Sequence, residues 1–115
     1  MVELQLPFPP SANHLWIRAR RGMRRSERYM AWLHTAGWQV KLQHQQKISG
    51  RYKLSIQASR PDKRRRDIDN LIKPISDLLQ TIGLVRDDCD CEMVSARWVT
   101  VGNGVTVTVE SAGVE

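Results

Sequence analysis

Two short segments of the chain alternate between apolar and polar side chains, residues 2–7 (VELQLP) and residues 52–59 (YKLSIQAS). Alternation of this kind predicts half-buried β-strands, because successive side chains of a strand point to opposite faces of the sheet. Residues 93–101 and 105–111 are also rich in β-formers, and the GNG sequence at 102–104 predicts a hairpin between them. The sequence therefore predicts strands at both ends of the chain and in its middle.

The first helix is predicted to begin after Ser26, a good N-cap residue, and to run to about Lys47. Helical spacing gives it one apolar face, which comprises Tyr29, Leu33, Ala36 and Val40, joined by Met30, Trp32 and Trp38. The role predicted for this helix is packing against the sheet.

The second helix is predicted to begin at Asn70 or Leu71 and to end at Gly83, a typical C′ residue. Its apolar stripe comprises Leu71, Ile75, Leu78 and Ile82, with Ile72 and Leu79 beside it. Pro74 lacks the N–H group that a helix interior requires, so it belongs in the first turn. This position places the two aspartates of residues 67–69 just before the helix or at its N-cap.

Residues 14–25, an arginine-rich segment containing Gly22, are predicted to form a long loop. The order of elements is then β-α-β-α-β-β, which predicts an α+β fold with helices packed on one mixed sheet. With 115 residues, the chain is expected to form a single small domain over residues 1–115. No apolar run is long enough to cross a bilayer and no signal peptide is visible, so a cytoplasmic location is expected.

Charged residues are concentrated in a few segments of this chain, whose formal net charge is +6. Of its 18 Lys and Arg residues, six lie in residues 18–28 and five in residues 60–66, whereas eight of its 12 Asp and Glu residues lie in residues 62–92. A single basic run is usually a solvated loop. Two arginine-dominated runs beside clustered acids favour a polyanionic partner, because Arg contacts phosphate through two donors at once.

The basic run at 60–66 is followed directly by Asp67 and Asp69. On an extended backbone their carboxylates would point to the same side and would repel each other unless a cation lay between them. Mg²⁺ suits such a site, and a third carboxylate is available in residues 87–90. Lys73 lies one helical turn beyond Asp69 and can stabilise phosphate charge at the same site.

Each of these residues also has a simpler structural explanation. Asp67 or Asp69 could act only as an N-cap, Asp69 and Lys73 could form an ordinary i,i+4 ion pair, and residues 87–88 could form a turn. Taken together, however, the segment holds more acids than caps require. The pattern therefore favours a catalytic site with a bound metal ion.

Two other metal-site or nuclease patterns fit less well. Cys89 and Cys91 would need two further zinc ligands, and the three histidines, at positions 14, 34 and 44, are scattered. Residues 60–62 (RPD) resemble the start of a PD-(D/E)xK nuclease motif, but Leu71 stands where that motif requires an acid before Lys73. Trp16, in the basic segment, is predicted either to stack on an unpaired base or to anchor the loop.

The sequence resembles the RusA-type Holliday junction resolvases. The segments that match are LPFPPSANH after the first strand, PDKRRRDIDNLIKPISDLL, GLVRDD and the last two strands, in the family's order along essentially the whole chain. The middle motif is the most specific. It places Arg66, Asp67, Asp69, Asn70 and Lys73 at the family's spacing.

This resemblance implies a homodimer that cuts four-way DNA junctions by paired nicks during recombination and repair. Mg²⁺ or Mn²⁺ would be the cofactor, with no nucleotide cofactor and no membrane. By position, Asp67, Asp69 and Asp88 bind the metal and Lys73 is the essential lysine. Additional site candidates are Asp87, Asn70 and Asn13. DNA contact is assigned to Arg64, Arg65 and Arg66, and to Arg20, Arg21, Arg24 and Arg25.

A second hypothesis is a non-catalytic nucleic-acid-binding protein of a phage or prophage, because two basic loops alone would suffice for binding. That hypothesis does not need the acid cluster. Cleavage of a junction in Mg²⁺ but not in EDTA would exclude it.

Overall fold

The computed structural model describes residues 1–11, 14–43 and 47–112. Its elements, in chain order, are β1 (Val2–Leu6), β2 (Trp16–Ala19), β3 (Gly22–Arg25), α1 (Glu27–Gln43), β4 (Tyr52–Ser59), α2 (Ile72–Thr81), β5 (Cys91–Val99) and β6 (Val105–Ser111). Short 3₁₀ turns at Ile68–Leu71 and Asp88–Asp90 precede α2 and β5. The predicted α+β class, with a mixed sheet and two helices, is confirmed.

The main sheet has the strand order β1-β6-β4-β5. Strand β4 runs antiparallel to β6 and parallel to β5, and β1 pairs antiparallel with β6. Buried side chains recur at every second position of β1, β4 and β6, as their alternation predicts. One face of the sheet therefore packs into the core, together with the buried faces of α1 and α2.

The predicted hairpin between the last two strands is wrong, because β4 lies between β5 and β6. Two strands that flank a common partner are roughly 10 Å apart, which residues 100–104 can span. Residues 100–104 are tied to the end of β4 by the Ser59 N–H group, which donates to the carbonyl oxygen of Gly104 at 3.0 Å. A short glycine-containing connection is compatible with a hairpin or with a step over one strand, so the sequence could not separate the two.

Residues 14–25 do not form the predicted long loop. Strands β2 and β3 pair as a hairpin, with Trp16 opposite Arg25 and Ala19 opposite Gly22, whose φ is +96°. Most side chains of both strands are exposed, so no apolar alternation marks them in the sequence. The hairpin joins α1 through the Ser26 N–H group, which donates to the carbonyl oxygen of Leu15 at 2.8 Å.

Helix α1 has the predicted N-cap, since the N–H group of Tyr29 donates to Ser26 Oγ at 3.0 Å. The predicted face is buried, namely Tyr29, Trp32, Leu33, Ala36 and Val40. Met30 and Trp38 were wrongly assigned to it, since they are 57% and 56% exposed. The helix ends at Gln43, and Lys47 is not helical; residues 44–46 lie outside the described part of the chain.

Helix α2 begins one or two residues later than predicted, because a 3₁₀ turn precedes it, and Pro74 lies in its first turn. Gly83 adopts a φ of +77° directly after the helix, as expected of a C′ glycine. In the predicted stripe, Leu71, Ile75 and Leu78 are buried and Ile82 is half-buried; beside it, Leu79 is buried and Ile72 is half-buried. Neither helix of the described chain is long and apolar enough to cross a membrane.

Candidate active site

Asp67 and Asp69 lie at the entrance to α2, where the chain changes from extended to 3₁₀ conformation. Asp67 is extended, with φ −86° and ψ 129°, and its side chain makes no capping hydrogen bond. Asp69 lies inside the turn. Within the described residues, neither carboxylate has a hydrogen bond or ion pair. The N-cap explanation therefore fails for Asp67, and both acids are free to bind a ligand.

Asp69, Lys73 and Asp88 line one cavity, with a volume of about 480 Å³. The other lining residues are Ile72, Ser76, Cys91, Glu92, Met93 and Val94. The cavity forms because the turn before α2 lies against β5, while α2 lies against the Asp88–Asp90 turn, which β5 follows directly. The structure thus brings Asp88 into one cavity with Asp69, which lies 19 positions earlier in the sequence, and with Lys73.

Asp67 lines a different cavity, together with Asn70 and the arginines of residues 64–66. The expectation that Asp67 and Asp69 share one side required an extended backbone at both residues, and the 3₁₀ turn removes that condition. In the described residues, no three His, Cys, Asp or Glu side chains are arranged to hold a metal ion. The three predicted metal ligands therefore do not converge in this structure.

The donor set nevertheless suits a hard divalent cation. Mg²⁺ is commonly bound by one or two carboxylates, with waters and substrate phosphate completing the octahedron. Asp69 and Asp88 supply two exposed carboxylates to one cavity, and no described residue forms a hydrogen bond or ion pair with the carboxylate of Asp69. The residues present therefore fit the cation that the sequence predicts.

Asp87 has the structural role of a turn cap. Its Oδ1 accepts a hydrogen bond from the N–H group of Cys89 at 2.9 Å. That hydrogen bond holds the pKa of Asp87 below its ordinary value. Asp87 stabilises the turn that presents Asp88 to the cavity.

Lys73 does not pair with Asp69. Its Nζ lies 3.1 Å from Oδ1 of Asp77, one helical turn further on. The hydroxyl of Tyr29 donates to the other oxygen, Oδ2, at 2.5 Å. Asp77 was missed in the sequence, where its signals are an acid beside the apolar stripe of a helix and its i,i+4 spacing from Lys73.

A third cavity connects Lys73 with the hairpin. It is lined by Arg25, Lys73, Asp77, Gln80, Thr81, Asp87 and Asp88. The guanidinium of Arg25 lies 5.6 Å from the ring centroid of Tyr29, and the rings of Trp16 and Tyr29 form a T-shaped pair with centroids 6.1 Å apart. Of the two predictions for Trp16, the structure shows the anchoring contact. Arg20, Arg21 and Arg24 are exposed on the hairpin.

The basic cavity beside Asp67 has a volume of about 610 Å³. Its lining residues include Arg28, His14, Pro9, Pro10 and Ser11 in addition to Arg64, Arg65 and Arg66. Arg28 was not among the predicted DNA contacts, although it lies next to the basic hairpin in sequence. Asn13, a predicted site residue, lies outside the described residues.

The arginine run is held in place from both sides. Arg66 pairs with Asp62 at 2.8 Å, and its guanidinium lies 5.3 Å from the ring centroid of Phe8. Phe8 stacks on Trp98 of β5, with the ring centroids 6.1 Å apart. Arg64, whose Nε also lies 3.9 Å from Asp62 Oδ2, and Arg65 are both exposed, so an anionic ligand can reach them.

An exposed basic surface next to a cavity with two carboxylates and a lysine is typical of nucleases, which bind phosphates and hydrolyse one of them. The comparison with protein families agrees. The family described as endodeoxyribonuclease RusA matches residues 7–110. The chain belongs to this endodeoxyribonuclease family, as the resemblance in its sequence indicated, and it is a nuclease.

A curated relative gives the same result. The protein named crossover junction endodeoxyribonuclease rusA, from Enterobacteria phage HK97, is 35% identical over 88 residues. The alignment covers 72% of this chain and 70% of the relative.

Proposed function

We propose that this nuclease resolves Holliday junctions, cutting four-way DNA by paired symmetric nicks in recombination and repair. The match to the RusA family over residues 7–110 carries this proposal. The name of the phage relative, a crossover junction endodeoxyribonuclease, supports the choice of branched DNA as substrate.

In the proposed site, a Mg²⁺ ion, for which Mn²⁺ can substitute, would be held by Asp69 and Asp88, which share a cavity. Asp67 would be the third ligand once its side chain turns from the neighbouring cavity toward them. When bound, the ion lowers the pKa of a coordinated water and neutralises charge on the scissile phosphate. Support comes from the common cavity of Asp69 and Asp88 and from the uncommitted carboxylate of Asp67. The ammonium of Lys73, in the same cavity, stabilises the negative charge that develops on the phosphate.

The arginines bind the DNA backbone in this proposal. Arg64, Arg65 and Arg66 line the cavity next to Asp67, so phosphates held there lie beside the acid-bearing turn. The hairpin arginines Arg20, Arg21, Arg24 and Arg25 provide a second contact surface. Such contacts position the duplex without reading its sequence. They also offset the repulsion between DNA and the clustered carboxylates.

The chain acts as a homodimer in this proposal, because two symmetric nicks require two copies of the site related by a two-fold axis. Light scattering coupled to size-exclusion chromatography tests this point, with the mass of two chains expected at micromolar concentration. The single-domain organisation over residues 1–115 and the cytoplasmic location remain predictions.

Cleavage of a labelled four-way junction tests the proposed function directly, with a linear duplex of matched sequence in parallel. With Mg²⁺ the junction should receive two symmetric nicks and the duplex none, and EDTA should abolish cutting. Equal cutting of both substrates would contradict junction specificity. Binding of the junction without any cutting would instead support the non-catalytic alternative.

A further inference from the structure

Asp77 is a buried acid in the apolar side of α2. Its exposure is 8%, and the neighbouring helix residues Pro74, Ile75, Leu78 and Leu79 are buried as well. Burying a carboxylate is costly unless hydrogen bonds and an opposite charge compensate for the lost water. The position therefore requires an explanation that packing alone does not provide.

Each oxygen of this carboxylate has its own partner. Oδ2 accepts the hydrogen bond from the Tyr29 hydroxyl at 2.5 Å, and Oδ1 lies 3.1 Å from Lys73 Nζ. Tyr29 is fully buried, and its ring packs between Trp16 and Trp32. Because burial, and then the bond to Asp77, raise the pKa of Tyr29, its hydroxyl stays protonated and remains a donor.

Helix stability does not account for this arrangement. An apolar residue of similar volume in place of a buried ion pair is often neutral or stabilising. A lysine that precedes the acid is also the weaker order for an i,i+4 pair on a helix. The side chain of Lys73 is 58% exposed, so the pair is not needed to satisfy a buried lysine.

The arrangement does limit where the Lys73 ammonium can be. Lys73 lines both the cavity of Asp69 and the cavity of Asp87, and Asp88 belongs to both. An exposed lysine otherwise samples many rotamers, and holding it in one position costs side-chain entropy. A fixed, buried carboxylate one turn away restricts the lysine to one position before a substrate binds, so substrate binding does not lose that entropy.

We propose that Asp77 is a positioning residue, whose carboxylate is oriented by the Tyr29 hydroxyl and holds Lys73 Nζ at the cavity shared with Asp69 and Asp88. The proposal rests on the proposed function, in which Lys73 acts on the scissile phosphate. It adds a chain of contacts that runs from α1 through Asp77 to the lysine.

Two variants test it in a single-turnover junction-cleavage assay with enzyme in excess. Asp77→Asn keeps the shape of the side chain but loses the charge that holds Lys73. It should cut roughly 10- to 100-fold more slowly, while its Kd for the junction stays within about twofold of wild type. Tyr29→Phe removes only the hydroxyl and should give a smaller loss in the same direction. Glu3→Gln, the same acid-to-amide change on an exposed position of β1, is the control and should cut at the wild-type rate.

A second readout does not depend on cleavage. In protein labelled with ¹³C at the lysine ε-carbons, NMR relaxation should show an ordered Lys73 in wild type and a mobile one in Asp77→Asn. Equal mobility in the two proteins would overturn the proposal.

The outcomes separate the two proposals. If wild type cuts the junction and Asp77→Asn cuts equally fast, the positioning role is wrong and the proposed function stands. If the variant loses junction binding and thermal stability in parallel with its rate, Asp77 is a structural residue and the positioning role is again overturned. If wild type itself does not cut, the proposed function fails, and the role assigned to Lys73 fails with it.

Discussion

The two cavities on either side of the Ile68–Leu71 turn differ in charge and in contents. One is lined by three consecutive arginines with Asp67, and the other by Asp69, Lys73 and Asp88. Asp67 and Asp69 are two residues apart, yet they face different cavities because the backbone changes from extended to 3₁₀ between them. In the proposed function, the basic cavity binds phosphates and the Asp69 cavity carries out hydrolysis, so the two roles lie on neighbouring surfaces that one turn connects.

If this division of roles is correct, substitutions of Asp88 and of Asp87 should affect the cleavage rate very differently, although the two residues are adjacent. Asp88→Asn removes a carboxylate from the catalytic cavity and should lower the single-turnover cleavage rate by roughly 10²- to 10³-fold or more. Asp87→Asn keeps an acceptor for the Cys89 N–H group, so the turn should survive with less than about tenfold loss of rate.

Both variants should bind the junction like wild type in EDTA, measured by gel shift. If Asp87→Asn lowered the cleavage rate more than Asp88→Asn, Asp87 would be the catalytic carboxylate and Asp88 the structural one, contrary to the account.

Substitution of an arginine in the basic cavity should affect binding and leave catalysis intact. Arg65→Ala should weaken junction binding and reduce the slope of log K against log salt by about 1, because one phosphate contact is lost. At saturating enzyme, its cleavage rate should match wild type. Lys53→Ala, which removes an exposed cation on β4, is the matched control and should leave the slope unchanged. An Arg65→Ala protein that binds normally but cuts slowly would contradict the division.

Breaking the Asp62–Arg66 pair should have the smallest effect. Asp62→Asn releases Arg66 from its ion pair, so junction binding should tighten slightly and the salt slope should rise. Hydrogen bonds from Arg66 and Arg64 hold the pKa of Asp62 below its ordinary value. The pair therefore stabilises the fold above the ordinary pKa of a carboxyl group, and this contribution is lost as pH falls through the lowered pKa.

The melting temperatures of Asp62→Asn and wild type, measured from neutral to acidic pH, should accordingly become equal at the acidic end. A difference that grows as the pH falls would show that Asp62 has another role.

The parts of the fold that were predicted correctly have a strong local signal. Strands β1 and β4 alternate cleanly, the end of α2 follows from Gly83, and Pro74 placed the start of α2 to within two residues. The N-cap of α1 was likewise found from Ser26 alone. Each of these features depends on residues that are close together in the sequence.

The features that were missed depend on tertiary contacts. The position of β4 between β5 and β6 is a choice of strand partners, and residues 100–104 allow either topology. The β2–β3 hairpin is mostly exposed, so it lacks the apolar pattern on which strand prediction relies.

For the site, spacing and the family resemblance identified Asp69, Lys73 and Asp88, which the fold brings to one cavity. The separation of Asp67 from them arises from one 3₁₀ turn, and such turns leave little signal in a sequence. The Lys73–Asp77 pair has a local i,i+4 spacing and was missed, whereas the hydrogen bond that orients Asp77 comes from a tyrosine 48 residues away, which spacing could not indicate.

The assignment of hydrolysis to the Asp69 cavity is tested most directly by Asp69→Asn at saturating enzyme. Binding and cleavage of one labelled four-way junction are measured in the same samples with Mg²⁺. We predict complete binding with a single-turnover rate at least about 10²- to 10³-fold below wild type. Cleavage at the wild-type rate by a fully bound Asp69→Asn protein would contradict the account.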